Sequence, residues 1–198
     1  MPVAPAVHLH RDDRRRGQSL AARRSVRRAG VEVTIVFTDL VGFSSWALRA
    51  GDDQVLRLVR AVTRISEDAV NRHHGTMVKS LGDGHMAVFA DTAAAVAACH
   101  EMAGSVPSVD VGGDRPQLRT GVHSGHPRVV RRDYLGVDVN IAARVAAAAN
   151  GGEVLVSGPA LENLDRERYV VRRRRAFRAK GTPADLEVFA VVPRHPGG

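Results

Sequence analysis

Two aspartates stand where divalent cations could be held. Asp39 closes an apolar run in Thr38-Asp39-Leu40-Val41-Gly42-Phe43-Ser44, and Asp83 lies in Leu81-Gly82-Asp83-Gly84 between two β-forming segments. Carboxylate oxygens are hard ligands that suit magnesium or manganese, and magnesium takes one or two carboxylates plus substrate phosphates. Two such ions can activate an attacking hydroxyl and stabilise a departing phosphate. The glycine-containing turn after Asp39 can also present backbone N–H groups, at Phe43 and Ser44, to a phosphate. Taken singly, Asp39 also suits a helix cap and Asp83 a hairpin turn.

Two further pairs stand out by residue type or spacing. Of 29 basic residues 27 are arginine, and only Lys79 and Lys180 are lysine. A bias toward arginine codons explains the rarity but not the two exceptions, which are either chance survivors or pockets built for a compact ammonium. Asn140 and Arg144 are four apart in an alanine-rich helical segment and so share one helix face.

The elements that must position these residues follow from periodicity. Val31 to Thr38 reads as a strand buried on both faces, and Asp52 to His74 as a long amphipathic helix stopped at Gly75. Thr76 to Ser80 and His85 to Ala90 form a hairpin with Asp83 at its tip. A helix from Thr92 to about Ala103, capped by Asp91, precedes a strand at Gln117 to His123. Val137 to Ala149 reads as a helix and Glu153 to Val156 as a strand. Tyr169 to Arg174 and Leu186 to Val192 read as strands flanking a turn at Lys180-Gly181-Thr182-Pro183. The order gives an α+β fold with a ferredoxin-like βαββαβ core and C-terminal additions, in which Asp83 comes to lie beside Asp39.

Bulk properties narrow the class. The 198 residues, 44% hydrophobic, suffice for one core, expected over residues 31–192, with a basic arm at 1–30 and a tail at 193–198. The net charge of +8 resembles a nucleic-acid signal until it is located. Residues 1–30 carry +6, and the other 168 carry 21 basic against 19 acidic side chains. The arm reads as a disordered, solvated segment; no strong case for nucleic acid follows, and its contact with an anionic membrane has no support. Cys99 has no partner for a disulfide or a cysteine metal site. With no apolar run of about 20 residues and no secretory h-region, a soluble cytoplasmic chain is expected.

Four blocks, in order, resemble the signature of class III adenylate cyclases. They are Phe37 to Ser44, Lys79 to Phe89, Gly121-Val122-His123-Ser124-Gly125, and Asp133 to Arg144, and the likeness spans about residues 31 to 192. The resemblance implies that Asp39 and Asp83 hold two Mg2+ or Mn2+ ions, with the Leu40 carbonyl as a further contact. It implies that Lys79 and Asp133 read adenine, the ammonium meeting a ring nitrogen and the carboxylate the exocyclic amine. Guanine reverses the donor and acceptor pattern there and would leave a buried group unpaired. Asn140 would orient the ribose and Arg144 stabilise the charged transition state, as arginines do at other phosphoryl-transfer sites. Arg119 and Lys180 match looser blocks that contact the triphosphate.

The implied reaction is attack of the ribose 3′-hydroxyl of ATP on the α-phosphorus, releasing pyrophosphate and giving 3′,5′-cyclic AMP. In such enzymes one subunit supplies the metal aspartates and the other the adenine and transition-state residues. This chain holds both sets, so a head-to-tail homodimer with two equivalent sites is expected. No histidine is needed as base, and His73, His74, His85, His123 and His126 read as turn or strand residues. Rival readings are a guanylate cyclase, disfavoured by Lys79 and Asp133, and a catalytically silent module that keeps the fold.

Overall fold

The computed structural model describes residues 31–175 and 177–194. The expected arm at 1–30 lies outside them. Strand β1 (Val33–Leu40) is followed by helices α1 (Phe43–Ala50) and α2 (Asp52–Arg72), the hairpin β2 (Thr76–Ser80) and β3 (His85–Phe89), and helix α3 (Thr92–Ser105). Strand β4 (Leu118–Gly125) leads to a small hairpin, β5 (Arg128–Val130) and β6 (Asp133–Leu135), and then to helix α4 (Val137–Ala147). Strand β7 (Val154–Ser157), helix α5 (Gly158–Glu162), β8 (Tyr169–Arg173) and β9 (Val188–Pro193) complete the described order.

The main sheet runs β2-β3-β1-β4-β7-β9-β8. Its first four strands have the ferredoxin-like order, with β3 antiparallel between β1 and β2 and β4 antiparallel on the other side of β1. The expected α+β architecture is therefore borne out. β7 adds parallel to β4, and β9 and β8 follow antiparallel.

β1 is buried on both faces because its side chains alternate between two clusters. Val36 and Leu40 pack with Leu58 and Val62 of α2 and Val96 and Cys99 of α3. Ile35 and Phe37 pack with Met86, Val88 and Ala142 and Ala146 of α4. Burying each such side chain contributes about 1.5–3 kcal/mol, so the register of β1 is held strongly. A one-residue slip would turn all of them over. Burial pushes the Cys99 thiol up to about 12, so it is an inert core residue.

Several boundaries differ from the sequence reading. Helix α1 was not expected, because between the glycine-containing turn after Asp39 and the helix from Asp52 no element was assigned; it forms by laying Phe43 and Trp46 against the core. The β5–β6 hairpin was also not expected. α4 ends at Ala147, two residues earlier than read. β9 runs to Pro193, and Arg194 donates its backbone N–H to Arg168 at 2.9 Å, so folded structure continues past residue 192 into the segment taken as tail.

Candidate active site

Asp39 lies next to the end of β1, two residues after Phe37 and so on the α4 side of the sheet. Leu40, its neighbour, turns its side chain into the opposite core, which leaves only its backbone for a ligand. Asp83 is brought alongside by the β2–β3 turn. That approach demands glycine at position 84: a Cβ there would fall 2.2 Å from the Thr38 carbonyl oxygen and 3.4 Å from the Asp39 Cα. Leu81 closes the turn by donating to the Gly84 carbonyl at 2.8 Å.

The two carboxylates feel each other. Burial raises the Asp83 pKa, and the charge of Asp39 and a hydrogen bond to it raise it further, against the lowering effects of a backbone hydrogen bond and Arg119. Two apposed carboxylates form an anionic pair that a divalent cation would relieve. Among the described residues there is no cluster of three or more His, Cys, Asp or Glu suited to a metal. Two hard-oxygen ligands with room for phosphate fit magnesium or manganese better than a closed protein cage would.

Arg119 stands directly opposite Asp39 in the β1–β4 register. Its Nε donates to Asp39 Oδ2 at 2.8 Å and its Nη2 reaches the same oxygen. Its Nη1 donates to the Ala147 carbonyl at the end of α4, at 3.3 Å. The family resemblance implies a triphosphate contact for Arg119; its ion pair with Asp39 is visible only in the folded chain.

Lys79 of β2 and Asp133 of β6 meet. The Lys79 Nζ donates to both oxygens of Asp133, at 2.8 and 2.7 Å. Asp133 also accepts from the Tyr134 backbone N–H at 2.7 Å. The hydrogen bond from Lys79, helped by that of Tyr134, holds the Asp133 carboxyl below its ordinary value, so it is ionised at neutral pH. Both side chains stay partly open, 33% and 41% exposed. The small hairpin that carries Asp133 was missed, although Val129-Val130 and Tyr134-Leu135 flank a two-residue turn at Arg131-Arg132 and give a β signal.

Asn140 and Arg144 share an exposed face of α4, as the spacing required. Neither side chain has a hydrogen-bond partner among the described residues. Phe43 packs against Trp46, ring centroids 6.1 Å apart, and Ser44 is exposed at the start of α1. Lys180 sits exposed in a turn stabilised by Thr182 Oγ1 donating to the Ala179 carbonyl at 2.8 Å. The structure does not join Lys180 to the Asp39–Asp83–Arg119 cluster by any contact among the described residues.

The histidines fall where expected. His85 and His123 are buried strand residues, and His73 and His74 follow the end of α2. His126 follows β4. A cavity of about 400 Å³ lies behind the Leu40–Phe43 loop, lined by Trp46, Leu58, Val111 and Pro116 among others. Neither Asp39 nor Asp83 lines it.

This fold and these residues place the chain in a family. Residues 27–192 match the adenylate and guanylate cyclase catalytic domain, and the chain belongs to that family. An adenylate cyclase of Streptomyces coelicolor is 33% identical over 138 residues, covering 69% of this chain and 35% of that protein. A pH-sensitive adenylate cyclase of Mycobacterium tuberculosis is 31% identical over 133 residues, covering 67% of this chain and 32% of that one. The chain thus spans about a third of the length of these relatives. Among solved structures, the catalytic core of a rhodopsin-guanylyl cyclase with converted specificity, in complex with ATPalphaS, superposes with a TM-score of 0.76 at 19% identity. That match covers 84% of this chain and 98% of that one. No helix among the described residues is long and apolar enough to cross a membrane.

Proposed function

We propose that the chain is an adenylate cyclase, converting ATP to 3′,5′-cyclic AMP and pyrophosphate at sites shared between two copies. The observation that carries the choice of ATP is the Lys79–Asp133 pair. An ammonium donor and an ionised carboxylate acceptor, held together and partly open, complement the ring nitrogen and exocyclic amine of adenine. Guanine offers an N–H and a carbonyl at that edge, so it would meet like with like.

The chain's own residues divide the remaining work. Asp39 and Asp83, with the Leu40 carbonyl, would hold two Mg2+ or Mn2+ ions, which when bound would supply activation of the 3′-hydroxyl and neutralisation of phosphate charge. Arg119 would exchange its Asp39 partner for the triphosphate, with Phe43, Ser44 and Lys180 as further phosphate contacts. Asn140 would orient the ribose, and Arg144 would stabilise charge on the transferring phosphate. Positioning and electrostatics carry such a reaction, with little covalent work for the protein.

Sharing between copies is supported by what α4 leaves open. Asn140 and Arg144 face outward, and close to Asp133 the side chains of Val129, Val137 and Leu135 are exposed to 61%, 64% and 47%. Exposed apolar side chains near Asn140 and Arg144, which have no hydrogen-bond partner among the described residues, are what a surface covered by another chain would present. Incubation of the purified chain with ATP or GTP, each with manganese or magnesium, and identification of the product tests the reading. Cyclic AMP from ATP is expected. A cyclic product from GTP alone would favour the guanylate reading, and no cyclic nucleotide in any combination would favour a silent module.

A further inference from the structure

Asp138, in the first turn of α4, turns inward while Asn140 and Arg144 turn out. Asn140 lies 200° around the helix from Asp138 at 100° per residue, and Arg144 lies close to Asn140. The Asp138 carboxylate is held at both oxygens. Oδ2 accepts the His126 backbone N–H at 2.9 Å, and Oδ1 lies 3.3 Å from His123 Nε2.

His123 belongs to β4 and is 3% exposed. Its other nitrogen, Nδ1, is 2.8 Å from the hydroxyl of fully buried Ser157, whose Oγ caps α5. With a carboxylate at Nε2, that nitrogen carries the proton and Nδ1 accepts from Ser157. The path runs Asp138, His123, Ser157, and links α4 to β4 and β7.

Two glycines of β4 let the helix sit this close. A Cβ at Gly125 would lie 2.5 Å from Asp138 Cγ and within 2.9 Å of both its oxygens. A Cβ at Gly121 would lie 2.1 Å from the Ala146 backbone nitrogen. Helix α4 is thus seated on β4 at both ends, and at its N-terminal end the seat is a polar latch. Glu32, Glu162 and His126 line the cavity beside that latch, with His126 Nε2 3.8 Å from Glu32.

We propose that Asp138 and His123 are positioning residues that fix the roll of α4 and so aim Asn140 and Arg144 at the reacting nucleotide. The proposal rests on the reading of Asn140 and Arg144 given above. A roll of about 10° moves a group about 6 Å from the helix axis by about 1 Å, and misplacement by about 1 Å can cost on the order of a hundredfold in rate.

The test uses Asp138→Ala and Asp138→Asn in the full chain. Asp138→Ala is expected to lower kcat for ATP by about ten- to a hundredfold with KM changed by less than about threefold. Asp138→Asn, which keeps one acceptor oxygen, should lose less, and it serves should the alanine variant fail to fold. Equal mixtures then locate the defect. Asp138→Ala with Asp39→Ala should recover activity as Asn140→Ala with Asp39→Ala does, whereas Asp138→Ala with Asn140→Ala should not. Wild-type kcat in Asp138→Ala overturns the proposal. So does failure of Asp138→Ala to be rescued by Asp39→Ala when Asn140→Ala is rescued. If Asn140→Ala is not rescued either, the shared-site reading falls, and the kcat and KM of the two Asp138 variants alone decide the latch.

Discussion

Arg119 directs two of its nitrogens, Nε and Nη2, at a single oxygen of Asp39, leaving Oδ1 of the carboxylate outside this ion pair. In the absence of nucleotide the carboxylate proposed to bind metal is therefore partly neutralised by its own chain. A cation entering beside Asp39 must compete with that guanidinium, and a triphosphate gives Arg119 somewhere else to go. Substituting Arg119→Gln should lower the manganese concentration that half-saturates stabilisation of the nucleotide-free chain. It should also raise KM for ATP by about tenfold, the loss of one charge-assisted contact. Thermal shifts against manganese and steady-state kinetics measure the two effects, and an unchanged KM would remove Arg119 from the phosphate site.

Gly84 brings Asp83 beside Asp39, so Gly84→Ala should separate them. The added methyl would overlap the Thr38 carbonyl at 2.2 Å, and backbone cannot yield as a flexible side chain would. Activity should fall at least about a hundredfold, because a metal site displaced by about 1 Å no longer matches the transition state. Retention of half the wild-type rate, measured as cyclic nucleotide formed, would contradict this placement.

Much of this geometry was legible in the chain before folding. β1 and α2 announced themselves through unambiguous periods, and Gly82-Asp83-Gly84 between two β-forming runs required a hairpin with Asp83 at its tip. Asn140 and Arg144 needed only the helical repeat to share a face. Contacts set by register across the sheet were not legible. Asp39 faces Arg119 because β4 pairs with β1 at that offset, which no local signal records. The latch from Asp138 to Ser157 likewise joins residues 15 and 34 apart through His123. Helix α1 escaped because its eight residues bury no side chain fully and its start looks like a turn.

The Lys79–Asp133 pair gives a specificity prediction. Replacing it by an acceptor for the guanine N–H and a small, weak donor for its carbonyl, Lys79→Glu with Asp133→Cys, should lower kcat/KM for ATP by a factor of about 10² or more and raise it for GTP. Competing ATP and GTP in one reaction and separating the products measures the ratio. An ATP preference unchanged in the double variant would mean that these residues do not read the base.

Acid should destabilise the fold through its buried and half-buried histidines. His85, His100 and His123 all have pKa values below the usual 6.5, in each case chiefly through burial. Glu67 and Asp138 oppose the shift at His85 and His123 respectively. Because the folded pKa lies below the unfolded one, the stability from keeping these rings neutral is present above pH 6.5 and is lost as pH falls through the folded values. Each ring still neutral in the fold adds a loss of about 1.4 kcal/mol per pH unit. Denaturant titrations at steps from pH 7.5 down to 5 should show stability falling, with a smaller slope in His123→Gln. A flat profile would place these rings in solvent.

The claim that Asp39 and Asp83 form half a site, completed by Asn140 and Arg144 of another copy, is tested most directly by mixing two inactive variants. Asp39→Ala and Asn140→Ala should each be nearly silent with ATP. Mixed in equal amounts and allowed to exchange, they should recover about a quarter of the wild-type rate, since half the dimers are mixed and each of those has one intact site. A mixture no more active than either variant alone would contradict the shared site.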